Sequence, residues 1–172
     1  MLKTAAPLAV LLAGITGSGK TTLAMALAGR GMIRLSVDEE VHRLHGRYGT
    51  DYPEHEYSGR ERPVVDAIRA QLTGHLAAGH DVVLDHGLWL RADRDAWKKT
   101  IEAAGGRWVL VYLPAGRAEL LRRLRERNQR EDANALTVTP GALDDFFARF
   151  EEPAPDEDAI ICTGDPDTIA RK

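Results

Sequence analysis

Between Gly14 and Thr21 the chain reads Gly-Ile-Thr-Gly-Ser-Gly-Lys-Thr, a match to G-x-x-x-x-G-K-[ST]. The apolar run Leu8–Ala13 leads into it and the alanine- and leucine-rich run Thr21–Ala28 leads out, so the loop joins a buried strand to a helix. Glycines at 14, 17 and 19 let backbone N–H groups curl around an anion, and the helix that starts near Lys20 adds the positive end of its dipole. The pattern predicts a cradle for the phosphates of ATP or GTP, formed by Gly14, Thr16, Gly17, Ser18, Gly19, Lys20, Thr21 and Thr22. Lys20 is expected to bridge the β- and γ-phosphates, and the Thr21 hydroxyl to ligate Mg²⁺.

The remaining pattern alternates strand with helix. Strands are expected at Ile33–Val37, at Asp81–Leu84 running into Asp85, at Trp108–Leu113 and at Ala159–Cys162. Helices are expected at Glu40–Gly46, Pro63–Ala78, Arg91–Ala104 and Ala118–Arg130, with another opened by Thr139-Pro140. Arg47–Arg60 is polar and reads as a loop or weak helix, and the acidic Glu151–Asp158 as a surface connection. Such alternation implies an α/β fold with a parallel sheet, helices on both faces, and a ligand crevice at the carboxyl ends of the strands. No internal repeat or linker is visible, so one domain spanning 1–172 is expected.

Composition narrows the partners. Apolar residues make up 44% and charged residues 28%, with a formal net charge of −3. That balance fits a globular protein and lacks the basic excess that neutralises long stretches of nucleic-acid backbone. Cys162 is the only cysteine, which excludes an intrachain disulfide and a cysteine-rich zinc site. No apolar stretch reaches the roughly 18–20 residues of a membrane span, and a cytoplasmic location is expected.

Several side chains outside the loop carry candidate chemistry. Asp38 follows the second strand and opens onto the crevice, where a carboxylate could take the proton from an attacking hydroxyl; it could also cap the helix that follows, a role compatible with catalysis. Asp85 ends the third strand in the manner of an aspartate that holds Mg²⁺ or touches substrate. His86, Trp89 and Arg94 lie just beyond it as candidate substrate contacts, with Arg94 alternatively locking its helix by a salt bridge to Asp93 or Asp95. Arg127 and Arg130 end a basic helix and open a polar stretch, the arrangement of a lid over about 127–140 that neutralises charge on a transferred group; Arg123 is a weaker candidate.

Taken together, Gly14–Thr21, Ser36-Val37-Asp38, Val82-Val83-Leu84-Asp85 with Arg94, and Arg127-Asn128-Gln129-Arg130 resemble a small P-loop predicted-kinase family. That family is similar to chloramphenicol phosphotransferase, gluconate kinase, the zeta toxins and 5′-polynucleotide kinase domains. The resemblance implies a P-loop NTPase fold with a five-stranded parallel sheet of order 2-3-1-4-5. It implies ATP- and Mg²⁺-dependent transfer to a hydroxyl, with Asp38 as base and Arg127 and Arg130 as lid arginines. It also places Thr163-Gly164-Asp165 beside the adenine. Val37 stands where the polynucleotide kinases generally carry arginine, and the lid loop has few basic residues beyond Arg130, so a small-molecule acceptor is favoured over nucleic acid. The rival readings are a 5′-hydroxyl polynucleotide kinase and an ATP-binding switch without an acceptor.

Overall fold

In the computed structural model, which describes residues 5–127, 140–162 and 169, the apolar runs become five strands. They are β1 (Leu8–Ala13), β2 (Ile33–Ser36), β3 (Val82–Asp85), β4 (Arg107–Tyr112) and β5 (Ile160–Ile161). All pair in parallel, in the order β2-β3-β1-β4-β5 that the resemblance implies. β1 is buried at all six positions, as a central strand covered on both faces must be.

Among the described residues six helices accompany the sheet: α1 (Lys20–Ala28), α2 (Val37–His45), α3 (Tyr57–Ala77), α4 (Arg91–Ala103), α5 (Arg117–Arg127) and α6 (Pro140–Arg149). Strand alternation sorts the side chains between them. Ala9, Leu11, Leu35, Val82 and Leu84 pack with Val64, Ile68 and Leu72 of α3 and with Trp97 and Ile101 of α4. Val10, Leu12, Val83 and Val111 point the other way, onto Leu23, Ala24 and Leu27 of α1, with Cys162 and Ile169 completing that layer. A third cluster, Ile15, Leu120, Leu124 and Leu143, joins the phosphate loop to α5 and α6.

Three expectations are revised by the structure. β2 ends at Ser36 because the Ser36 hydroxyl accepts a hydrogen bond from Glu39 N at 3.2 Å and caps α2, so Val37 and Asp38 are already helical. α3 begins at Tyr57 and carries Pro63 inside it, where the sequence suggests a start at Pro63 itself. The added turn sets Tyr57 and Glu61 one helical turn apart, facing Asp38. Finally, Glu151–Asp158 is more than a surface connection: its short 3-10 turn, Pro155–Glu157, sends Glu157 inward, where it is 2% exposed.

Ser36 and Asp85 are register partners, so β2 and β3 end flush with one another beside the loop that leaves β1. The crevice predicted from the strand pattern lies over these ends.

Candidate active site

The phosphate loop turns tightly, with Ser18 N donating to the Ile15 carbonyl at 3.0 Å. Gly19 sits at φ 100°, in the left-handed region that residues with a Cβ avoid, and α1 starts at the next residue. Lys20 Nζ donates to the Gly14 and Ile15 carbonyls at 3.0 Å each, which folds the ammonium over the loop. Ser18 Oγ is buried and finds no hydrogen-bond partner among the described residues. An orphaned buried hydroxyl within a ring of loop amides suits a polar ligand such as polyphosphate. Thr16 and Gly17 are half-buried and Thr22 is exposed. The segment after β3 closes against this loop: a Cβ on Gly87 would stand 3.2 Å from the Gly14 carbonyl oxygen and 3.4 Å from Lys20 Cε.

At the start of α1, Thr21 Oγ1 donates to Asp85 Oδ1 at 3.4 Å, joining the first turn of α1 to the end of β3. Two hard oxygen donors at that separation approximate the edge of about 3 Å in an octahedral Mg²⁺ shell with bonds of about 2.0–2.1 Å, so the pair fits the ion. Asp85 is 5% exposed and does not stand alone. Arg34 reaches across from β2, with Nε and Nη2 donating to Asp85 Oδ2 at 3.0 and 2.6 Å and Nη1 donating to Glu39 Oε2 at 2.9 Å. Burial works against the Arg34 charge, but the Asp85 and Glu39 carboxylates outweigh it and hold the guanidinium above its ordinary pKa.

A second group of titratable side chains gathers around Asp38. The Tyr57 hydroxyl donates to Asp38 Oδ1 at 2.5 Å. Burial, then the Asp38 charge, pushes the Tyr57 phenol far above its ordinary range, so it remains a donor. Glu61 is pushed up to about 7 by burial first and by the Asp38 charge second. His86 Nε2 stands 3.9 Å from Glu61 Oε1. Burial holds the His86 imidazole below its ordinary pKa, against the pull of Asp38 and with the push of Lys20. The imidazole thus feels the charges of both Lys20 and Asp38.

The sequence-predicted residues divide accordingly. Gly14–Thr22, Asp38, Asp85 and His86 gather around one crevice. Trp89 packs on Phe146 of α6, centroids 5.0 Å apart, with Arg149 over its ring at 5.4 Å. Arg94 is a correction. It is 0% exposed and its guanidinium is consumed by Glu157 (2.7 and 3.0 Å) and by the Leu88 and Trp89 carbonyls (2.9 and 3.2 Å), so it braces the loop after β3 and does not face substrate. The partner is neither Asp93 nor Asp95 but a residue far along the chain.

Arg123, the lesser candidate in the sequence, donates from Nη1 to the Gly17 carbonyl at 3.1 Å and thus touches the phosphate loop. Arg127 closes the described part of α5; its side chain, Arg130, and Thr163, Gly164 and Asp165 lie outside the described residues. Sequence reasoning missed Arg34, Tyr57 and Glu61. An arginine inside the apolar strand Ile33–Ser36 signals a buried partner, and the spacing of Tyr57 and Glu61 already carries a helical face.

Among the described residues no helix is long and apolar enough to cross a membrane. No curated protein matches the chain in sequence. Solved structures share its fold at low identity. A candidate kinase from Chloroflexus aurantiacus superposes with a TM-score of 0.77 at 18% identity, covering 96% of each chain. A gluconokinase from Sinorhizobium meliloti superposes at 0.61 and 19%, over 97% of this chain and 89% of that one. The APS kinase CysC of Mycobacterium tuberculosis, solved with AMPPNP and APS, gives 0.61 and 17%, over 97% and 95%. The family model described as an AAA domain, AAA_33, matches residues 10–153, and with the phosphate loop, the strand order and these kinase-like neighbours in view, the chain belongs to that family of P-loop domains.

Proposed function

We propose that the chain is an ATP- and Mg²⁺-dependent phosphotransferase that moves the γ-phosphoryl group to a hydroxyl of a small molecule, such as a metabolite or an antibiotic. The observation that carries this reading is the Asp38 carboxylate, oriented by the Tyr57 hydroxyl that donates to it at 2.5 Å. A nucleotide switch has no need of an oriented carboxylate there; a kinase does.

Tyr57 donates to Asp38 Oδ1, which leaves Oδ2 to accept the proton of the acceptor hydroxyl. As the acceptor's hydroxyl oxygen, its proton passing to Asp38, bonds to the γ-phosphorus, the bond to the bridging oxygen breaks and ADP leaves with its electron pair. Lys20 and the loop amides hold the phosphates. Thr21 and Asp85 would hold Mg²⁺, which would supply charge neutralisation at the phosphates. Arg123, with Arg127 and Arg130 beyond it, stabilises the transferred group. Thr163, Gly164 and Asp165 are assigned to the adenine end, and residues 127–140 to a lid within one kinase domain. His86 and Trp89 line the acceptor side, with a neutral imidazole at neutral pH. The net charge of −3 supports a small acceptor over a nucleic acid, and a cytoplasmic site of action suits the need for ATP.

The test is Asp38→Asn, assayed as acceptor-dependent ADP release across a metabolite and antibiotic panel. Turnover should fall by about 10²–10⁴-fold with ATP affinity unchanged. Loss of ATP binding in that variant would assign Asp38 to structure instead.

A further inference from the structure

Arg34 reaches two carboxylates at once. Nε and Nη2 hold Asp85 Oδ2, Nη1 holds Glu39 Oε2, and Asp85 Oδ1 is left toward Thr21. Glu39 is the neighbour of Asp38 in the first turn of α2. One guanidinium therefore bridges the carboxylate of the metal pair and the helix that bears the proposed base. With side chains 13% and 5% exposed, Arg34 and Asp85 are shielded from water, and salt screens them little.

We infer that Arg34 is a positioning residue: it fixes Asp85 with one oxygen turned to Thr21, restrains the affinity of that pair for Mg²⁺, and ties the metal side of the crevice to the Asp38 helix. The inference rests on the reading of Thr21 and Asp85 as metal ligands. Its physics is simple. Two cations on one carboxylate repel each other, so the arginine keeps the ion loosely held and able to exchange with the nucleotide. A planar fork can span two carboxylates in fixed geometry, which a lysine ammonium cannot.

The experiment uses the full chain with AMPPNP and titrates Mn²⁺ by electron paramagnetic resonance, alongside amide hydrogen exchange of the α2 first turn. It requires no knowledge of the acceptor. Arg34→Met should tighten Mn²⁺ binding about fivefold, through lost repulsion, and speed exchange at residues 38–41 about tenfold. Arg34→Lys keeps the charge but not the fork, so Mn²⁺ affinity should stay within about twofold while exchange still rises. Glu39→Gln should speed exchange alone.

Unchanged or weaker Mn²⁺ binding in Arg34→Met overturns the inference, because a brace with no electrostatic role would only loosen the site. Should that variant not fold, slow wild-type exchange in both Arg34→Lys and Glu39→Gln overturns it equally. Asp85→Asn separates the premise: if Mn²⁺ affinity survives that change, the metal assignment fails and the role of Arg34 falls with it.

Discussion

Among the described residues, Arg94, which is buried, and Arg34, which is partly buried, both face carboxylates, and their surroundings differ. Arg94 is enclosed: Glu157 takes Nε and Nη2, and the Leu88 and Trp89 carbonyls take Nη1. Every partner is protein, and the arrangement closes the segment after β3 against the Pro155–Glu157 turn. Arg34 is open-ended: its partner Asp85 keeps a second oxygen on Thr21, at the mouth of the phosphate loop. Low exposure and a salt bridge are common to both, so neither property separates a brace from a site. The spare oxygen does.

The largest expected effect lies on the closed pair. Arg94→Ala leaves the Glu157 carboxylate buried without its cation, at a cost of about 3–5 kcal/mol in a denaturant titration. Mg²⁺ and AMPPNP should not restore that loss, because nothing in the nucleotide site replaces the guanidinium. Restoration by ligand would erase the distinction between the two arginines.

Glu61 offers a third case, a half-buried carboxyl whose neighbours are Asp38, Tyr57 and His86 in place of an arginine. Its pKa is raised to about 7 from 4.5, so the folded state keeps a proton that the unfolded chain has released. Stability therefore falls as pH rises from about 4.5 to about 7, and the deficit persists above that window. Glu61→Gln should remove this decline and gain on the order of 2 kcal/mol at pH 8 relative to pH 5. Parallel urea midpoints for the two proteins at both pH values would refute a buried Glu61.

The smallest effect belongs to Arg91 and Asp156, which pair at 2.6 Å between the same two segments as Arg94 and Glu157 but are 43% and 65% exposed. Asp156→Asn should leave the melting midpoint at physiological salt where it is, since water and ions already screen the pair. A large drop would mean that distance, and not burial, sets the strength of the Arg94 bridge.

Much of this arrangement is legible in the sequence. Leu8–Ala13 followed by Gly14–Thr21 places a strand, a loop and a helix without any tertiary knowledge, and the apolar run that ends in Asp85 places the third strand. Asp38 is identifiable too, although its seat in the first turn of α2 follows from the Ser36 cap. Arg94 misleads because sequence proximity to Asp85 suggests the crevice, whereas its partner lies 63 residues away. Tyr57 and Glu61 are hidden by Pro63, which reads as a helix start but sits within α3. The helix extends ahead of it because Tyr57 gains a short hydrogen bond to Asp38.

The sequence by itself determined the phosphate loop and the alternation of strand with helix, because both are written in contiguous residues whose backbone geometry is local. Only the tertiary structure decided which charges meet. Arg34 and Asp85 are 51 residues apart in the chain, and they touch because β2 and β3 pair in a register that turns both toward α1. Pairing of that kind depends on sheet order and strand phase together, and in a buried site the meeting of charges, not their presence, decides what each one does.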